Sequence, residues 1–200
     1  MAVQVIDSKC SGCGAPVAPS MSFCDYCGKP VVITSFNSIL DRAVPDVNRL
    51  VRALDKDPDK SGELAPLAHF TKGACYLKLR LHDKALAEFE AAIDENLDNP
   101  EGYFYAAVSL LKGKKAFLTP LPNLKKALEY LEAAESIENR GVFWYFAAYI
   151  KQDYFARKCL RISPDWREEA ALALQNNLSP ADARLLFDIL AVPCPPALAF

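Results

Sequence analysis

The stretch His69-Phe-Thr-Lys72-Gly73-Ala-Cys-Tyr76-Leu-Lys-Leu-Arg80-Leu-His82-Asp-Lys-Ala85-Leu-Ala-Glu-Phe89-Glu-Ala-Ala92 carries the fold. Gly73 and Tyr76, then Ala85, Phe89 and Ala92, recur at steps of three and four residues, the period of one helix face. Leu81-His-Asp83 between them reads as a turn, so the stretch predicts two helices folded back on each other. Small residues at 73, 85 and 92 let the two backbones approach, and Tyr76 and Phe89 fill the space beside them.

The same pattern returns downstream. Ala107 lies thirty-four residues after Gly73, Leu110 takes the place of Tyr76, and a second helix carries Ala127, Leu131 and Ala134. The connection is longer there, because Tyr76 to Ala85 is nine residues and Leu110 to Ala127 is seventeen. The extra chain holds Gly113-Lys-Lys-Ala-Phe-Leu-Thr-Pro-Leu-Pro122, which predicts a loop. A third, shorter pair is read at Val142–Ile150 and Asp153–Ile162, ending at Ser163-Pro164. Two closing helices, Asp165–Asn176 and Ser179–Leu190, each open on a capping residue. Upstream, Phe36, Ile39, Leu40, Val44, Val47, Leu50, Val51 and Leu54 recur at helical spacing, and Pro45 either divides this stretch into two helices or starts the second, since proline is tolerated at a first turn but not mid-helix. Asp55 to Gly62 reads as a charged connector.

Over roughly residues 63 to 164 this spacing resembles the tetratricopeptide repeat (TPR), with one good unit, one enlarged and one degenerate. The resemblance implies a concave groove lined by Leu67, Phe70, Ala74 and Leu77 in the first unit, and by Glu101, Phe104, Val108 and Leu111 in the second. Such a groove would be apolar and would lack the lysine and asparagine set with which related domains hold a peptide's terminal carboxylate. The other reading of these residues is plain core. Tyr103-Phe104-Tyr105 and Phe143-Trp144-Tyr145-Phe146 run around most of a helix circumference, so those helices are either buried nearly all round or expose aromatic surface. The second case would put an interaction hot spot at Trp144 and Tyr145.

The first thirty-five residues are of another kind. Cys10-Ser-Gly-Cys13-Gly14 and Cys24-Asp-Tyr-Cys27-Gly28 are two C-x-x-C-G knuckles ten residues apart. Together they offer the four thiolates that a structural zinc takes in a tetrahedral shell. A glycine after each pair suits a turn that needs positive φ. Alternating Val3, Val5 and Ile6 and the β-branched Val31 to Thr34 predict short strands around the knuckles. The module resembles the short zinc ribbons with F-C-x-x-C-G knuckles, here Phe23 to Gly28, which implies one structural Zn held by Cys10, Cys13, Cys24 and Cys27. A redox dithiol and an iron site remain as other readings.

The predicted class is therefore mainly α: a small β zinc ribbon at 1–35, a helical linker at 36–62, a TPR-like antiparallel helix-hairpin domain at 63–191 and an apolar, proline-rich tail at 192–200. The tail is expected to pack on this protein or on a partner.

Composition narrows the function. The 200 residues are 52% hydrophobic and carry a net charge of −2, enough apolar material for a core and no general attraction to polyanions. The one basic cluster is Lys112, Lys114, Lys115, Lys125 and Lys126. No apolar run reaches the roughly 18 residues of a spanning helix, and no basic segment followed by a long apolar stretch opens the chain. A cytoplasmic location is expected. His69 and His82 are the only histidines and neither pairs with a nucleophile; no glycine-rich phosphate loop or H-E-x-x-H motif is present. The expectation is a non-enzymatic adaptor or scaffold that holds one or more protein partners as a subunit of a larger complex. A nucleic-acid- or ribosome-associated factor using the ribbon and the Lys112–Lys126 cluster is the alternative, which the charge count disfavours.

Overall fold

A computed structural model describes residues 13, 15–18, 21, 23–29, 39, 42–56 and 65–199. The chain divides into two compact units, Met1–Glu95 and Asn96–Phe200, so the boundary falls inside the stretch 63–191. Eight α-helices are present among the described residues. None of them is long and apolar enough to cross a membrane.

The first unit contains α1 (Val44–Lys56), α2 (Ala65–Lys78) and α3 (His82–Glu95). Helix α1 starts one residue before Pro45, where proline lacks no helical partner, and buries Val47, Leu50, Val51 and Leu54. Helices α2 and α3 form the antiparallel hairpin predicted from residues 69–92. Gly73 is the crossing point: a Cβ built there would stand 2.8 Å from the Phe89 ring. Phe89 is wholly buried and meets Phe70 edge to face, with centroids 5.7 Å apart. The hairpin closes without glycine. Arg80 takes φ +60°, and the Leu81 amide donates to the Tyr76 carbonyl at 2.9 Å, the long-range bond of a Schellman cap.

The second unit contains α4 (Pro100–Leu110), α5 (Leu121–Ile137), α6 (Gly141–Ile150), α7 (Trp166–Gln175) and α8 (Pro180–Leu190). Asn99 caps α4 by accepting from the Glu101 and Gly102 amides, and Asp165 with Glu168 closes a capping box on α7. The long connection read at 113–122 is a loop with a 3₁₀ turn at Ala116–Leu118. Ala107, Ala127, Leu131 and Ala134 are all fully buried, as their small-and-large spacing predicts.

Helix α6 is the hub. Nine of its ten residues are buried, all but Trp144, and it packs against α5, α7 and α8. Its first residue, Gly141, rests on the end of α7. There Asn177 is left-handed at φ +61°, the Leu178 amide returns to the Ala173 carbonyl at 3.1 Å, and the Gly141 amide donates to the Asn176 carbonyl at 2.9 Å. A Cβ on Gly141 would stand 2.4 Å from the Ala173 oxygen and 2.6 Å from the Leu178 nitrogen.

One expectation is corrected. Asp153–Ile162 is not the partner helix of α6. Instead α6 runs on into a π-helical turn, Lys151–Ala156, and Cys159 at φ +55° stops it while the Leu160 amide bonds back to the Phe155 carbonyl at 2.8 Å. The partner is α7, read from the sequence as a closing helix. Among the described residues of the N-terminal module there is no strand, only single bridge positions at Pro16 and Phe23. The strands expected at 3–6 and 31–34, and most of the connector expected at 55–62, lie outside the described residues.

The two glycines give a graded prediction. Gly141→Ala forces backbone against backbone and should destabilise the protein by about 2–3 kcal/mol in urea unfolding. Gly73→Ala meets a side chain and gains helix propensity, so its net cost should be about 1 kcal/mol.

Candidate metal centre and partner surfaces

The second knuckle is a closed turn. The Gly28 amide donates to the Cys24 carbonyl at 2.8 Å and the Cys24 amide to the Lys29 carbonyl at 2.9 Å. Gly28 takes φ +70° with nothing near its missing Cβ, so the dihedral alone requires glycine, as its place after the cysteine pair predicts. The turn brings Cys24 and Cys27 to the same point as Cys13, and the three sulfurs all lie within 4.8 Å of one another. The Cys13 and Cys24 sulfurs are 3.7 Å apart. That is far beyond the roughly 2.05 Å of a disulfide, and it fits the separation of about 3.8 Å that two metal–sulfur bonds of about 2.3 Å subtend at a tetrahedral angle. These residues can therefore hold a metal ion. Cys10 and Gly14 lie outside the described residues. Around the thiols, among the described residues, the buried Val17 and Cys24 pack with Ala15 and Met21. The knuckle is tied to the start of α1: Arg42 donates to the Met21 carbonyl at 3.0 Å, and the Arg49 guanidinium lies 4.8 Å over the Phe23 ring.

Of the residues read as an open groove, Leu67 and Glu101 are half-buried and the other six are core. Phe70, Ala74, Leu77, Phe104, Val108 and Leu111 are each at most 6% exposed. Phe104 contacts the rings of Phe143 and Phe146, which covers the place where a ligand would lie. Helical spacing gave these residues a common face but not what packs on it. Of the aromatic pair, Trp144 is half-buried and Tyr145 is buried, its hydroxyl donating to the Leu198 carbonyl at 2.5 Å. Tyr145 is thus the anchor of the tail and not a hot spot. Val192 and Leu198 of the tail are buried within the second unit. Cys75 is buried too, and burial pushes its thiol up to about 12, so it is no nucleophile at neutral pH.

Buried charge was not legible from the sequence. On α2, Lys72 lies 2.7 Å from Glu88 and 3.1 Å from Asp55, and His69 Nδ1 is 2.7 Å from Glu88. Burial disfavours the Lys72 ammonium, but its bonds to Glu88 and Asp55 more than offset this and hold its pKa above the ordinary value. In the second unit Lys151 donates to Glu169 at 2.5 Å, with both side chains at most 7% exposed. Glu169 Oε2 and Glu135 Oε1 are buried with no partner among the described residues. A lysine next to the apolar run of α6 is the only sequence signal of this cluster.

Burial, reinforced by the Glu169 and Glu132 carboxylates and opposed by Lys151, raises Glu135 from 4.5 to about 8. A carboxyl that holds its proton longer in the folded chain favours folding below its unfolded pKa, and that contribution disappears as pH rises through the folded value. Glu135 should therefore make the protein progressively less stable between pH 4.5 and 8. Glu135→Gln should melt close to wild type at pH 5 and higher than wild type at pH 8.5. Parallel melting curves for the two proteins across this range would exclude the assignment.

No family model matches this chain, and neither does any curated protein or solved structure.

Proposed function

We propose that the chain is a non-enzymatic adaptor or scaffold: a zinc ribbon on a TPR-like array of helix hairpins that holds a protein partner within a larger complex. The observation that carries this reading is the hairpin of α2 and α3, whose backbones approach at Gly73 against Phe89, the crossing that TPR-type interaction domains use. The second unit adds support. Its α4–α5 and α6–α7 pairs repeat the helix-hairpin plan.

The metal in this reading is one structural Zn held by Cys10, Cys13, Cys24 and Cys27. Four thiolates fill its shell and leave no position for substrate or water; in so small a module the ion would do the work of a core. The alternative, a nucleic-acid-associated factor, draws on one observation. The loop that carries Lys112, Lys114 and Lys115 continues into Phe117, whose ring has Arg157 at 4.2 Å and Lys158 at 5.0 Å, so two basic segments meet.

Two measurements test these statements. Protein purified without chelators should contain about one zinc per chain, lost in the Cys10→Ser, Cys13→Ser double variant; freshly purified protein free of metal would refute the zinc module. The chain isolated from its native host should carry a partner protein at fixed stoichiometry, and the complex should re-form from the separately purified components. Recovery of the chain alone under gentle conditions would sink the adaptor reading.

A further inference from the structure

A cavity of about 540 Å³ opens in the second unit between the π turn and the start of α7. That is within the roughly 300–1,000 Å³ range of sites that bury a ligand. Its walls are built by two features already described. The left-handed Cys159 throws the chain outward after the π turn, leaving Leu160 47% exposed, and the capping box of α7 sets Trp166 at the opposite wall. Phe155 and Ile162 complete the apolar lining.

The charged lining is cationic. Lys151 is neutralised by Glu169 at 2.5 Å, and Arg167 lies 3.7 Å from Asp165 with its guanidinium over the Trp166 ring at 4.6 Å. Arg161 lines the same cavity and makes no ion pair or hydrogen bond among the described residues. The cavity lining carries Lys151, Arg161 and Arg167 against Asp165; with Lys151 paired to Glu169, Arg161 and the exposed Arg167 are the cations that face a ligand.

We propose that this cavity docks an acidic amphipathic segment of a partner protein, with its apolar side chains against Leu160, Ile162 and Trp166 and its carboxylates at Arg161 and Arg167. The site deepens the adaptor reading and rests on it. Nucleic acid fits less well. Sequence-independent binding of single strands uses a row of aromatic rings on which successive bases stack, whereas the aromatic lining here is Phe155 and Trp166, of which Phe155 is buried.

The full-length, metal-loaded protein can be titrated by fluorescence anisotropy against three probes: a labelled peptide alternating glutamate with leucine and phenylalanine, the same peptide with lysine for glutamate, and labelled oligouridylate. The acidic peptide should bind, weaken with added salt, and lose roughly tenfold or more in affinity to the Arg161→Glu, Arg167→Glu variant. Both arginines are exposed, so the variant should keep the wild-type melting temperature. A Lys114→Glu, Lys125→Glu variant makes the same charge change away from the cavity and should bind as wild type. The site is overturned if the acidic peptide does not bind, if both charge variants weaken it equally, or if oligouridylate binds more tightly. If the peptide fails while the native host still yields a stoichiometric partner, only this site falls; if no partner is recovered either, the adaptor reading falls with it.

Discussion

Gly141 has no side chain, and the second unit depends on that. The amide of α6's first residue bonds to the Asn176 carbonyl, and the space a Cβ would take is occupied by backbone atoms of the turn that ends α7. Backbone cannot rotate away as a side chain can, so the contact fixes the distance and direction at which α6 enters the core. From that point α6 is covered on nearly every side. The aromatic run from Phe143 to Tyr149 becomes the centre on which α5, α7 and α8 are arranged.

Where α6 ends, the structure accepts polar groups in place of apolar ones. The π turn at Lys151–Ala156 brings Lys151 to Glu169 and sets Asp153 to accept the Phe117 amide at 2.8 Å and the Arg157 guanidinium at 2.6 Å. Tyr149 accepts the Ala116 amide at 3.2 Å. The inserted loop after α4 is therefore held by side chains of the hub and its extension. A buried ion pair is a costly way to gain stability, because desolvation cancels most of the attraction, but it is specific about which groups must meet. The same turn supplies a wall of the cationic cavity, so one local departure from α-helical geometry serves both packing and surface.

The N-terminal module follows the opposite strategy. Among its described residues, Val17 and Cys24 pack with Ala15 and Met21, backbone bonds close the second knuckle and three sulfurs are brought together. Hydrophobic burial organises the helices, whereas a closed turn positions the cysteines. The two need different information from the sequence: a periodicity over many residues in one case, a fixed spacing with a glycine in the other.

That difference sets what could be read in advance. Gly73 against Phe89, the burial of Ala107, Ala127 and Ala134, the caps at Asp165 and Ser179, and the positive φ of Gly28 all follow from residue type and spacing, because each is decided within a few residues or along one helix face. The partner of α6 was misread because nothing local marks Cys159 as a helix stop. Glycine is the usual left-handed residue, and here Arg80, Cys159, Asn177 and Ala191 take that conformation under tertiary constraint. Groove and core could not be told apart for a related reason: periodicity shows that Phe70 and Phe104 share a face with their neighbours, but only the fold shows that Phe89, Phe143 and Phe146 lie on those faces. The Lys151–Glu169 pair joins residues eighteen apart in sequence. The sequence by itself determined the helices, their small-residue crossings and the cysteine spacing of the candidate metal site; the tertiary structure alone decided which helices pair, which aromatics are covered and where charge is buried, because those depend on which backbone can approach which.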